Sequence, residues 1–183
     1  MYEEDQLFPE VNASLILTVL LAGAMATVAF DFFGQALSPL LNGLGSDFIG
    51  AKLAPVPLAQ SVLAKFTGIP GKELRALGIP YGMHILTGMI AYPLGWLLVA
   101  RPIYRKVLPD LPWIIPAVLY GVVLWVFALY IMAHLVAGNP PFLGFGKITW
   151  VALWGHIVFS VVAAWVIQWR DRSLYAWAKP LPI

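Results

Sequence analysis

The chain has 183 residues, 61% of them hydrophobic and only 11% charged, with a net charge of +2. A soluble domain carries about 25% charged residues, so this composition, with a mean hydropathy of +0.83, belongs to the membrane class and leaves room for one bundle without a second globular domain. No basic patch interleaved with aromatics is present, which excludes nucleic acid as a partner, and the absence of cysteine excludes disulfides, thiolate metal sites, iron–sulfur clusters and cysteine nucleophiles.

The opening MYEEDQLFPE is acidic, whereas a secretory signal begins with positive charge. Ala22-Gly23-Ala24 mimics a cleavage site, but with that flank the first apolar segment reads as a retained helix. It runs from about Ala13 to Phe33 behind Asn12 as its N-cap. Three more stretches reach the ~20 apolar residues a membrane helix needs. The second span covers about Gly82 to Ala100 and is stopped by Arg101-Pro102. The third covers about Trp113 to Val136, opens behind Asp110 and closes at Gly138-Asn139-Pro140-Pro141. The fourth covers about Ile148 to Trp169 and stops at Arg170-Asp171-Arg172. Pro93 predicts a kink in the second span, while Pro116 falls in the tolerated first turn of the third.

The expected fold is therefore an all-α membrane protein, a bundle of four transmembrane helices. Its first loop, from about Gln35 to Pro80, is too long for a bare connector. Leu58, Val62, Leu63 and Phe66 fall on one helical face there, which predicts a short interfacial helix lying on the bilayer. Arg101, Arg105 and Lys106, with Arg170 and Arg172, crowd the ends of spans two to four. By the positive-inside rule they put both termini in the cytoplasm and the long loop outside. Tyr175 and Trp177 mark the C-terminal RSLYAWAKPLPI as a tail at the cytoplasmic interface. Phe142 and Phe145 of NPPFLGFG are placed at the opposite interface.

Depth along each span, at 1.5 Å per residue, puts Asp31 roughly 27 Å, His84 roughly 25 Å, His134 roughly 30 Å and His156 roughly 20 Å from the cytoplasmic end. Every histidine, and the one acid embedded in a span, thus sits toward the same face of the membrane. Asp31 shares its helix face with Ala24, Thr27 and Gly34, His84 with Thr87 and Gly88, and His156 with Ala152, Ser160 and Ala163. Small residues mark helix contacts in membranes, so these three side chains are expected to point inward and meet. His134 neighbours the bulky Phe127, Tyr130 and Ile131 and ranks below them.

An Asp31/His84/His156 cluster admits several readings. It is a polar knot that orients helices. It is a metal site, since two imidazoles and a carboxylate suit zinc, copper or iron, although no HxxxH or HExxH spacing supports it. A haem or chlorophyll would need a histidine facing a planar cavity, with His134 as the depth match for His84. Gly88, Pro93 and Gly95 weaken the second span in the manner of a transport path, but one acid is little for a carrier. Ser160 stands one turn from His156 without an oxyanion-hole motif, so nucleophilic hydrolysis gains nothing from it.

The runs ATVAFDFFG, PYGMHILTGMIAYPLG and LWGHIVFSVV, with the long first loop, resemble a group of small four-helix bacterial inner-membrane proteins catalogued as domains of unknown function. The resemblance spans roughly Leu15 to Ile167, carries over onto Asp31, His84 and His156, and omits His134. It implies a bacterial inner membrane and the four-span layout, and it supplies no activity. The reading reached from sequence is an integral membrane binding or accessory protein rather than an independent enzyme. Its outer-leaflet site is expected to involve Asp31, His84, His156, Thr27 and Ser160, holding a metal ion or small ligand. The alternative is a supernumerary subunit of a respiratory or photosynthetic membrane complex, with partner subunits or a second copy beside it. A small transporter or membrane enzyme comes third.

Overall fold

A computed structural model describes residues 8–9, 11–44 and 47–170. The acidic start, apart from Phe8 and Pro9, and the C-terminal tail with Tyr175 and Trp177 lie outside the described residues. Four helices are long and apolar enough to cross a membrane: α1 (Ala13–Leu44), α4 (Ile79–Val107), α5 (Ile114–Val136) and α6 (Lys147–Arg170). Between α1 and α4 lie two short helices, α2 (Pro55–Thr67) and α3 (Gly71–Ala76). Among the described residues there is no strand. The all-helical four-span architecture expected from the apolar runs is thus the one the chain adopts.

α1 begins where expected, with Asn12 Oδ1 accepting from the Leu15 N–H at 2.8 Å. It then runs past Phe33 to Leu44. α4 likewise continues beyond Arg101, to Val107, and Arg101 is buried at 2% exposure rather than standing as a flank in water. Both overruns involve prolines that the helix accommodates. Wide π-helical turns occupy Phe33–Leu37, Thr87–Ala91 and Trp96–Ala100, each ending two residues before a proline, at Pro39, Pro93 and Pro102. A proline ring clashes with the carbonyl four residues back and cannot donate to it. Widening the preceding turn moves that carbonyl aside and lets the rod go on. In α1 the Gly34 carbonyl of the widened turn accepts the Leu53 N–H at 2.8 Å, so the loop docks on it. Ser38 Oγ adds a second tie, donating to the Ala51 carbonyl and accepting from the Gly50 N–H.

α1 and α6 form one close seam, α5 packs along α6, and α4 packs on α1. The close approaches sit at glycines. A side chain at position 23 would strike the Met89 backbone of α4, one at 121 the α6 backbone at His156 and Ile157, and one at 155 the Phe30 ring. This is the small-residue packing expected where lipid provides no hydrophobic drive between helices. α4 and α5, in contrast, approach each other chiefly around Trp96 and Tyr120. The gap between them is roofed by α2, which buries Ala59 and Val62 toward the bundle while Phe66 stays exposed. The helix expected to lie flat on the bilayer through Leu58, Val62, Leu63 and Phe66 is therefore a cover over the bundle end. Phe142 also departs from expectation. It turns inward on Trp125, with ring centroids 4.6 Å apart, and Phe145 alone of the pair is exposed.

Candidate functional site

Asp31 and His84 meet. His84 Nε2 lies 3.1 Å from both carboxylate oxygens of Asp31. The carboxylate can only accept, so Nε2 carries the hydrogen and donates. Gln35, one turn further along α1, donates from Nε2 to Asp31 Oδ1 at 3.0 Å. The side chains are 19% and 32% exposed for His84 and Asp31, at the rim near the roof. The acid inside the first span is thus held between its own helix and the second, as equal depth and inward faces predicted.

His156 does not join them. Its Nδ1 donates to the Ala152 carbonyl one turn back at 2.7 Å, and the buried ring packs edge-on against Phe30 and beside Tyr92. Phe30 also neighbours the His84 ring, with centroids 6.2 Å apart, and so stands as an apolar partner to both histidines. The physical reason is local: a histidine in a helix satisfies one nitrogen on its own i−4 carbonyl without any partner from another helix. The three-ligand metal set of Asp31, His84 and His156 is accordingly not assembled, and among the described residues no group of three such side chains is placed to hold a metal ion. His134 donates from Nδ1 to the Asn139 carbonyl at 2.8 Å and lies against Tyr130, so it closes the end of α5. Ser160 donates to the Ile157 carbonyl of its own helix at 3.0 Å and packs at Gly121 of α5, apart from the pair. Thr27 is 7% exposed, lies against Gly88, and its Oγ1 is buried without a hydrogen-bond partner.

Sequence reasoning did not anticipate what these groups surround. A cavity of about 940 Å³ fills the space between α1, α4, α5 and α6 beneath α2. That is the upper end of the ~300–1,000 Å³ range of small-molecule sites. Its wall includes Thr27, His84 and His156, with Ser61 and Asn139 toward the roof, and is otherwise dominated by apolar side chains such as Phe30, Leu124 and Phe159. His84 lines it and Asp31 does not, so the carboxylate stands behind the imidazole. A carboxylate in that position fixes the ring's tautomer and orientation. Ser61 and Asn139 tie the roof to the α5–α6 turn through a long bond of 3.5 Å. No sequence pattern marks such a void, because its wall is drawn from single residues of five helices. Comparison with family models, with curated proteins and with solved structures finds no match for this chain.

Proposed function

We propose that the chain is an integral membrane binding protein whose site is the cavity under α2, with His84, oriented by Asp31, as its principal polar contact. The observation that carries this reading is the coincidence of a large, mostly apolar void with a carboxylate-backed histidine in its wall. Ionisable residues inside membrane spans are functional-site hypotheses by default, and a sizeable apolar pocket with a few convergent polar groups is the default binding site. The nitrogen that His156 leaves unbonded, Nε2, is the atom a haem or chlorophyll would use. The basic ends of α4 and α6 favour a membrane setting with both termini in the cytoplasm.

Purification in mild detergent, with organic extraction and mass spectrometry, an absorption spectrum and elemental analysis, tests the reading. We expect one apolar molecule to be recovered in near-stoichiometric amount, and to be lost when Ala128→Trp fills the void. Equal recovery from both proteins would overturn it. A second reading, an accessory subunit of a larger membrane complex, draws on the exposure of Val99, Val123 and Phe127 along the α4–α5 gap. Co-purification with other membrane proteins through those positions would favour it.

A further inference from the structure

The cavity is polarised along the bundle axis. His84, Thr27, Ser61 and Asn139 lie toward its roof, whereas Gly95, Val99, Val123 and Leu124 surround its far end. The polar side chain at that far end, Tyr120, already donates its hydroxyl to the Tyr92 carbonyl at 2.7 Å. The wall also opens sideways. Ala91, Val99, Val123 and Phe127 line the cavity and are exposed on the flank of the bundle, Val123 by 59%. In a bilayer that opening faces hydrocarbon.

From this arrangement we infer that the site takes up, directly from the membrane, a neutral amphiphile with a hydroxyl-bearing head and a single hydrocarbon tail. This rests on the binding role proposed above and adds the chemistry of the ligand. The head lies between His84 and His156, and the tail runs toward Val99 and Val123. Each head contact keeps a hydrogen-bonding position for a ligand. His84 gives Nε2–H to Asp31 and keeps Nδ1. His156 gives Nδ1–H to Ala152, so its neutral ring keeps Nε2 as an acceptor. A hydroxyl donates to either of these nitrogens, and that bond offsets the cost of taking it into an apolar wall.

Charge decides against an ionised head. With His84 carrying one proton or two, the His84–Asp31 pair sums to −1 or zero, so it offers an anion no net attraction. Asp31 itself is not part of the cavity wall, and its oxygens are taken up by His84 and Gln35, so a cation finds no bare carboxylate there. Lys52 is the basic side chain at the rim, and it is exposed, where its ammonium stays hydrated. An acidic head would therefore be held, if at all, at the mouth.

The full chain in phosphatidylcholine nanodiscs, given a long-chain alcohol with a diazirine near the end of its tail, tests this by photolabelling and peptide mapping. We expect label on Val99, Val123 and Leu124, displaced by excess hexadecanol and not by palmitate or hexadecyltrimethylammonium. His156→Phe keeps a buried aromatic ring, removes Nε2 and should weaken labelling about five- to tenfold. Ala128→Phe, which narrows the void without touching the head contacts, should also reduce it. Displacement by palmitate or by the quaternary amine as effective as by the alcohol would overturn the neutral head while leaving a lipid-facing binding site. Label confined to Leu98 and Ile103, which face outward, with no competition, would overturn the inference and the binding role together. A helix of a second copy or of another membrane protein crosslinked through Val123 in place of label would assign the opening to that protein and overturn both as well.

Discussion

Compare the α1–α6 seam with the α4–α5 side. Along the seam Ala22, Ala26, Ala152 and Ala163 are buried to 1% exposure or less, and Gly155 admits the ring of Phe30. Across the bundle, α4 and α5 meet chiefly through the large rings of Trp96 and Tyr120, Gly95 takes the Tyr120 hydroxyl, and Val99, Val123 and Phe127 stand exposed beside the gap. Both sides are almost wholly apolar. Water therefore does not distinguish them, and in lipid neither hydrophobicity nor length selects helix partners. Side-chain size does: small residues bring backbones into contact, and bulky ones at the corresponding level leave a space that the fold then roofs with α2.

The sharpest way to break that contrast is on the closed side. Gly23→Leu forces a side chain into the Met89 backbone, which has no flexible end to yield. We expect a loss of at least about 3 kcal/mol, read as lost monodisperse yield and a collapsed melting transition. Gly43→Leu, with open space around it, should stay within about 0.5 kcal/mol of the parent. Next in size is the pair at the rim. His84→Gln or Asp31→Asn should each cost about 1–2 kcal/mol, below the 3–5 kcal/mol of a fully buried pair because water reaches this one. The double variant should cost less than the sum, and strict additivity in a thermal double-mutant cycle would show that the two do not act as a unit. His156→Ala tests the other histidine: its coupling to Asp31→Asn should be close to zero, since its hydrogen bond is to its own helix. The smallest effect is at the roof. Ser61→Ala removes the 3.5 Å contact to Asn139 and a bond to the Leu58 carbonyl within α2 itself, and should cost under about 1 kcal/mol, while hydrogen exchange of the α2 amides speeds up and that of α6 does not.

Four spans were legible because apolar runs of membrane length are a strong signal, and the Asp31–His84 pair was legible because equal depth and small-residue faces both pointed to it. The ends of α1 and α4 were misjudged for one reason. The first apolar run ends at Phe33 and Arg101-Pro102 reads as a stop, but a widened turn ahead of Pro39 and of Pro102 carries each helix through. The fate of His156 was hidden because depth and face say where a ring sits, and cannot say that its nitrogen will choose the carbonyl of Ala152 over a carboxylate on another rod. The inward turn of Phe142 depends on left-handed backbone at Phe142 and Leu143, with φ of 48° and 55°, conformations that side chains bearing a Cβ adopt rarely and that no sequence pattern announces.

The Asp31–His84 pair at the rim has a bearing on how the protein is made. Its partners are 53 residues apart, so the leading rod must enter the bilayer with its acid before the imidazole that answers it has left the ribosome. During that interval the neighbouring Gln35 amide, a single turn away, is the local group that accompanies the carboxylate, and a place near the headgroups keeps it within reach of water. Arrival of the second rod then closes the pair, while the α1–α6 seam, the closest in the bundle, has to wait for the last rod.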